Sequence, residues 1–453
     1  MSLFQRMGGT STINTGKFSL EAFEEEAIAA AQGETNTTEL NDAAAQGEQD
    51  IVEAATDAVE VSNDVDVMQE AMFALEDGEE IAEVQDQVEN ATQSDIDNAS
   101  ALQQTVMERV EGKGNVEDVP ATESRVGGRI STEGFKEWIK ATWEKIKEFA
   151  SSIYNKIKMI WKKFVNGTGR LLKRVEALKE KLKNKKDKLK DDAKIKLNLP
   201  VLALTSSGKF DPKTAYGELG AFTKACENIS TGPKDAIKDL KNVVEKCKAE
   251  AVKEVDEAGY MKFLEDQAKE FIEYAKDGKD FNLDKRFGNL KVVYLPLELG
   301  NKAIFTCVDK DAASLTSIYN SVTYRFENLH KNWNTATKDN EHPALDKGQC
   351  QDIAGNIEKA AKALQNFFEK ETSAVDKEIS GIKESIEKVV KDSKENVSHY
   401  GKEIYKGLQR IYVIPTQLLR MAVNLSSFYV QQAGAFLTLA DVSADKLEDD
   451  KKD

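Results

Sequence analysis

The stretch EGFKEWIKATWEKIKEFASSIYNKIKMIWKKF, residues 133–164, decides the fold class of this chain. Its aromatic and aliphatic residues recur at intervals of mostly three, four or seven, and lysines lie largely between them. That spacing places the apolar side chains on one face of a helix and the lysines on the other. The stretch predicts a helix from Gly134 onward, with Ser131 or Thr132 as its N-cap and Glu133 near its positive end.

Downstream of this helix the pattern stays helical. A second lysine-rich helix is predicted after Gly167 and Gly169, so that residues 134–199 form one basic, aromatic, amphipathic helical region with 20 Lys and Arg against 8 Asp and Glu. Residues 200–453 are predicted to form a helical body. Its expected helices cover about 214–229, 232–256, 259–276, 309–337, 347–371, 373–411 and, after an interruption at Pro415, 416–440.

Two β features are predicted within this body. The run KVVYLPLELGNKAIFTCV, residues 291–308, is typical of a hairpin around a Gly300-Asn301 turn, with Pro296 confined to an edge or a bulge. Residues 195–205 are a candidate third strand. The last apolar helix contains Arg420, Gln431 and Gln432, so we expect a core helix there rather than a membrane span. The fold class is mainly α, a multi-helix body with a small β-hairpin element.

Upstream of the quoted stretch the composition changes. Residues 1–133 hold 30 Asp and Glu against 6 Lys and Arg and are rich in Ala, Gln, Asn and Thr, which buries little apolar surface. We expect a largely disordered acidic segment with transient helices, ending in a Gly-rich linker at 111–132. The alternative is a packed helical hairpin, since some apolar residues have helical spacing: Val67, Met68, Met72, Leu75, Ile81, Val84 and Val88.

The two parts of the chain carry opposite charge. The whole sequence has a formal charge of −16, while residues 134–453 hold 57 Lys and Arg against 49 Asp and Glu, or +8. An acidic segment joined to a basic body weakens the attraction of that body to phosphates, and its removal would restore the attraction.

Catalytic chemistry finds no support in the sequence. It contains no GxxxxGK[ST], GxGxxG, HExxH or GxSxG pattern, and its three histidines (His330, His342 and His399) have no recognised metal spacing. The four cysteines are scattered, which favours a reducing compartment, and neither a secretory signal nor a run of about 18 apolar residues is present. We therefore predict no catalytic residues, no cofactor, no metal and no small-molecule substrate.

The layout resembles a known family. An acidic leader that begins near FSLEAFEEEA (18–27), a Ser-Thr-Glu junction and the aromatic, lysine-rich helix together look like the internal head, or inner body, proteins of phiKZ-like giant tailed phages, over about residues 15–190. The resemblance implies a virion structural protein inside the capsid, made in the host cytoplasm as a precursor. It also implies other capsid or inner body proteins as partners.

In that family, the resemblance implies, the phage prohead protease removes an N-terminal propeptide after a glutamate in a small-residue, any-residue, glutamate pattern. Ser131-Thr132-Glu133 matches, which places the cut before Gly134. The second choice is Ala121-Thr122-Glu123, and other matches include Ser19-Leu20-Glu21, Ala58-Val59-Glu60 and Ala74-Leu75-Glu76. We favour Glu133 because a Gly-rich linker precedes it and the charge reverses directly after it.

The role of the basic helix stays open between alternatives. Its aromatic residues can pack against the protein's own core, or the helix can lie on packaged double-stranded DNA without sequence specificity, or on a membrane after ejection. The alternative to an internal head protein is thus a membrane-active helical protein or toxin that its acidic leader holds inactive. The candidate DNA or membrane contacts are Lys136, Lys140, Lys147, Lys158, Lys162, Lys163, Trp138 and Trp161.

Overall fold

A computed structural model describes the chain over residues 132–196, 210–229, 232–273, 279–280, 291–309, 312–328, 341–392 and 398–450, with single gaps at 192, 298 and 301. It also describes residue 204 and most of 57–79. The linker at 111–131 and the candidate strand residues 197–203 lie outside these ranges.

Helix α1, Thr132–Lys183, is one continuous helix of 52 residues. At 1.5 Å per residue it is about 78 Å long. The predicted break at Gly167 and Gly169 is wrong, because both glycines lie within the helix. Each glycine costs a helix about 1 kcal/mol relative to alanine. That cost is outweighed by the buried side chains on either side, among them Phe164 and Leu171.

Nine further helices follow α1 in the described part of the chain. The body contains α2 (Pro212–Gly217), α3 (Leu219–Asn228), α4 (Gly232–Ala251), α5 (Glu257–Glu273), α6 (Leu315–Ser321), α7 (Lys347–Asn366), α8 (Thr372–Asp392), α9 (His399–Arg410) and α10 (Ile414–Ala444). A π-helical turn, Phe367–Glu371, joins α7 to α8, and a 3₁₀ turn, Ile411–Val413, joins α9 to α10. The predicted mainly α, multi-helix body is confirmed.

Helix α10 lies at the centre of the body. It packs against both α1 and α7, and apolar residues are buried on nearly every side of it. A helix that is apolar all round belongs in a core, so the prediction of a core helix is confirmed. Pro415 stands in its first turn, where a missing backbone N–H costs nothing, and the predicted boundary at this proline is also confirmed.

The strands form small antiparallel sheets. The largest has the order β3 (Lys279–Asp280), β4 (Lys291–Pro296), β5 (Lys302–Val308) and β6 (Thr323–Asn328). Strands β4 and β5 are the predicted hairpin, and Gly300 has a φ of 81° at the turn, a conformation that favours glycine. Strand β3 pairs with Tyr294 and Val293 of β4, and Pro296 pairs with Ala303 of β5. The residues that would lie opposite Pro296 on the β3 side are outside the described ranges, so its expected edge position stays a prediction.

Two further sheets have two strands each. Strand β1 (Lys185–Leu189) follows α1 and pairs with β8 (Leu447–Asp449), which follows α10. Strand β2 (Lys194–Lys196) pairs with β7 (Glu341–Pro343) and not with the hairpin. The first residues of the candidate strand at 195–205 therefore lie in a different sheet from the hairpin, and residues 197–203 lie outside the described residues.

Three predicted helices are each divided into more than one element. The window 214–229 contains α2 and α3, which meet at Glu218. The window 309–337 contains the short helix α6 and then strand β6, because the run Val322-Thr323-Tyr324 is β-branched and aromatic and pairs with β5. The window 373–411 is two helices, α8 and α9. Ser398 is not helical, and its hydroxyl accepts a hydrogen bond from the Gly401 N–H as the N-cap of α9.

Candidate functional site

The predicted cleavage junction lies at the start of α1. Helix α1 begins at Thr132, so Glu133 and Gly134 have helical backbone in its first turn, while Ser131 lies outside the described residues. The second-choice motif Ala121-Thr122-Glu123 also lies outside them. First turns of helices fray, which makes this end of α1 the easiest part of it to unwind.

The candidate contact residues divide by exposure. Lys136, Lys140 and Lys162 are exposed, whereas Trp161 is only 1% exposed. The side chain of Trp138 lies outside the described residues. Trp161 therefore does not reach DNA or lipid in this conformation.

The other three candidate lysines are half-buried and have partners. Lys147 pairs with Glu144 at 2.6 Å, and its ammonium stands 6.0 Å from the centre of the Tyr412 ring. Lys158 pairs with Asp376 at 2.7 Å, and Lys163 pairs with Asp57 at 2.6 Å.

The aromatic face of α1 serves the protein's own core. Trp161 meets the edge of Phe367 at a centroid distance of 5.8 Å, and Phe164 stacks on Phe368 at 5.3 Å. Both partners belong to the π-helical turn between α7 and α8. Such pairs add about 0.5–1.5 kcal/mol beyond burial of their area. Of the alternatives that the sequence left open for these aromatics, packing within the body is the one the structure shows.

Part of the acidic leader is packed on the same helix. The described residues between 57 and 79 are helical and are called the leader helix here. Its inward face is almost completely buried, each side chain being at most 2% exposed: Ala58, Val61, Val65, Met68, Ala71, Met72 and Leu75. This stretch is therefore packed and not disordered. The rest of residues 1–131, including any second helix of the alternative hairpin, lies outside the described ranges.

Most of these buried residues alternate in steps of three and four. The series 58, 61, 65, 68, 72, 75 is the spacing by which one helix lies along another. The larger apolar residues Met68, Met72 and Leu75 were recognisable in the sequence, but Ala58 and Val61 were not, because small side chains contribute little to an apolar pattern. The regular three-four step was the available signal.

The leader helix lies in a groove that we call the docking groove. It is formed by α1, by the corner between α6 and β6, and by α9 and α10, each of which bonds to the leader helix. Gln69 is buried, and its amide donates to the Asn320 carbonyl oxygen at 3.1 Å and to the Thr323 hydroxyl. A polar residue satisfied within an apolar face fixes the register of a helix.

Acidic side chains of the leader helix pair with α1. Lys156 donates to Asp64 at 2.7 Å and to Glu60 at 2.8 Å, and hydrogen bonds to these two carboxylates raise the pKa of Lys156. Lys163 donates to Asp57 at 2.6 Å. These pairs are partly exposed, and pairs of that kind contribute about 0–1 kcal/mol each. These pairs therefore favour the approach of the acidic leader to the basic helix, but they contribute little to the free energy of docking.

Two buried arginines complete the groove. Arg420 of α10 is 3% exposed and donates to Asp66 at 2.5 Å and to the Tyr324 carbonyl oxygen at 2.6 Å. Arg410 of α9 is 2% exposed and donates to Glu79 at 2.6 Å. A buried guanidinium without its carboxylate is unfavourable by several kcal/mol. The body therefore holds positive charges whose carboxylate partners come from the leader.

Among the described residues we find neither a metal-binding group nor a reactive thiol. Within the described ranges no group of three or more His, Cys, Asp or Glu could hold a metal ion. All four cysteines are buried thiols outside any disulfide, and burial raises the pKa of the Cys247 thiol to about 12, far from the value of a reactive thiolate. No described helix combines the length and the apolar content needed to cross a bilayer.

Comparison with known families covers both the leader and the body. The model of the family described as phiKZ-like phage internal head proteins matches residues 22–438. The chain belongs to this family. The match includes the leader helix and extends through most of α10, so the resemblance noted over about residues 15–190 is confirmed and extended to the body. Searches of curated proteins and of solved structures found no match.

Membership places the protein among the internal proteins of the phage head. The family description names a structural component of the particle rather than an activity. The feature that stands out in this internal head protein is then the docking groove, where an acidic leader and a basic body meet.

Proposed function

We propose that this internal head protein is made as a precursor, and that the phage prohead protease removes its acidic leader after Glu133. The mature form, positively charged, then helps to organise the packaged double-stranded DNA without reading its sequence. The proposal rests on the docking groove, where carboxylates of the leader form ion pairs with cationic side chains of the body. These side chains are Lys156, Lys163, Lys406, Arg410 and Arg420.

Charge gives the cleavage its physical effect. Loss of residues 1–133 changes the formal charge of the chain from −16 to +8. Inside a DNA-filled head, a positive protein gains free energy by releasing the counterions condensed on phosphates. Lys136, Lys140 and Lys162 are already exposed on α1, so departure of the leader would add cations to an existing basic surface.

The position of the junction supports processing there. Glu133 lies in the first turn of α1, so a protease needs to unwind only that turn to reach the bond before Gly134. Sequential trimming that begins at Glu123 is the second possibility for the same linker. Before the cut, the leader also offers a charged handle for contacts with other capsid or inner body proteins during assembly.

DNA binding tests the masking part of the proposal. Full-length protein and protein freed of residues 1–133 are titrated with duplex DNA at several salt concentrations. We expect binding by the shorter form only, with log K falling linearly against log salt by about 0.9 for each phosphate neutralised. The double variant Lys140→Gln/Lys162→Gln of the shorter form should reduce that slope. Equal binding by both forms would contradict the masking mechanism.

The N-terminus of protein recovered from phage particles tests the cleavage part. A start at Gly134 is expected, and a start at Ser124 would select the second-choice motif. A body polypeptide that still begins at Met1 or Ser2 would refute processing of the leader.

A further inference from the structure

Two sequences that match the protease pattern overlap the described residues of the leader helix. They are Ala58-Val59-Glu60 and Ala74-Leu75-Glu76. Ala58 and Leu75 are completely buried in the docking groove. Both glutamates are engaged as well, since Glu60 accepts from Lys156 at 2.8 Å and Glu76 accepts from the Asn320 amide at 2.7 Å.

A protease binds several residues of its substrate in extended form. A docked helix cannot supply them, because its inward side chains and backbone are withdrawn from the enzyme. Cleavage at these two motifs must therefore wait for the helix to undock and unwind, and its rate follows the population of that open state. The junction at Glu133 needs only fraying of one helical turn.

Retention of the leader helix does not depend on the covalent link. Its apolar face, two guanidinium–carboxylate pairs and the Gln69 contacts all lie between the helix and the groove. The connection through 80–131 raises only the effective concentration of the helix at its groove, on the order of a millimolar or less for a link of this length. A cut in that connection removes this contribution and leaves every contact in place.

We propose that the leader helix stays in the docking groove as a non-covalent subunit after cleavage at the junction, and that docking protects the motifs ending at Glu60 and Glu76. The leader then leaves in two steps, junction first and helix second. This inference rests on the proposed processing. It adds that the charge of the particle-bound protein changes at the second step, when the helix leaves.

A glutamate-specific endoprotease tests the order of cleavage on the full-length protein. Mass spectrometry of samples taken over time gives the rate at each glutamate. We expect cleavage after Glu123 or Glu133 at least about tenfold faster than after Glu60 or Glu76. Size-exclusion chromatography of the early product should show the fragment that contains residues 57–79 eluting together with the body. Equal cleavage rates, or a fragment that elutes alone at micromolar concentration, would overturn the proposal.

A matched pair of variants shows whether docking causes the protection. Met68→Lys places a charge in the buried face, whereas Met159→Lys makes the same change where the side chain is 62% exposed. Cleavage after Glu60 and Glu76 should accelerate in Met68→Lys to the rate seen at the linker. It should stay slow in Met159→Lys. Similar rates in the two variants would refute protection by docking.

A second variant covers the case in which Met68→Lys disturbs the body, as detected by loss of helical circular dichroism. Asp66→Asn combined with Glu79→Gln removes two carboxylates from the groove without adding bulk. It should also release the cut fragment, and continued co-elution would count against the proposed groove. Neither test uses phage protease or DNA. Failure of the proposed function would therefore appear at the particle N-terminus, and failure of this inference in the elution of the fragment.

Discussion

Truncation of Met68 to alanine should loosen the leader helix selectively. Met68 is completely buried in the middle of the inward face, between Val65 and Met72, which are buried too. Its replacement by alanine removes apolar packing and leaves a cavity that the surrounding helices fill only in part. Because the Met68 side chain packs between the leader helix and the body, the substitution should shift the docking equilibrium towards the undocked state.

The size of the effect follows from its burial. Buried methionine-to-alanine changes cost about 2–5 kcal/mol, and alanine's better helix propensity returns only a few tenths. With a factor of ten for each 1.4 kcal/mol, the docked fraction relative to the undocked should fall by about 30- to 4,000-fold. Met159 is 62% exposed, so Met159→Ala should change stability by no more than about 0.5 kcal/mol.

Amide hydrogen exchange measures this directly. Peptides from 57–79 should lose protection by that factor in Met68→Ala, while peptides from the middle of α1 keep theirs. Met159→Ala should leave both sets unchanged. If protection of 57–79 falls no further in Met68→Ala than in Met159→Ala, the leader helix is not held by its buried face, and the reasoning fails.

The remaining predictions concern the body. Gly407→Ala should destabilise the protein by about 1–3 kcal/mol, because a Cβ there would stand 2.7 Å from Leu315 Cβ; Gly355→Ala, where nothing lies within 4 Å, should stabilise its helix by about 0.5–1 kcal/mol. Both are measured as chemical unfolding midpoints, and a destabilised Gly355→Ala would contradict the packing. Glu79→Leu should lower the free energy of unfolding by about 2–4 kcal/mol, because it leaves Arg410 buried and unpaired. Adding Arg410→Met to the same chain should recover most of this stability. If no stability is recovered, the ion pair itself contributes to stability. All four thiols should react with a thiol reagent only on unfolding, and rapid reaction of the native protein would contradict their burial.

Much of the fold could be predicted from local patterns in the sequence. Helix α1 followed from the spacing in residues 133–164, and the hairpin followed from β-rich runs on both sides of Gly300. Pro415 marked the start of α10. In each case the deciding residues are neighbours in sequence, so propensity and periodicity suffice.

The wrong predictions have a different physical cause. Gly167 and Gly169 break helices in isolation, but tertiary packing of α1 against α7 and α10 outweighs their cost. The run at Val322 became a strand because β5 was there to pair with it. Neither outcome is encoded within a short window.

The docking groove was the least predictable feature. A short helix with one apolar face cannot bury that face alone, and the acidic residues around it give the stretch a composition like that of an unfolded chain. Its partners are remote in sequence: the pair between Asp66 and Arg420 spans 354 positions. Charge counting did indicate that leader and body attract each other. It could not indicate that the contact is a packed helix with buried arginines.

The length of α1 and the pairing of β1 with β8 have a practical consequence. Strand β1 follows the C-terminal end of α1, at Lys183, and pairs with strand β8. Strand β8 therefore lies at the end of α1 that is opposite to Thr132. With about 1.5 Å per residue, some 75 Å of helix separates the two ends. A fluorophore or affinity tag placed after residue 450 would therefore report on the body without touching the processed end. One such label can follow the same molecule before and after its N-terminus changes.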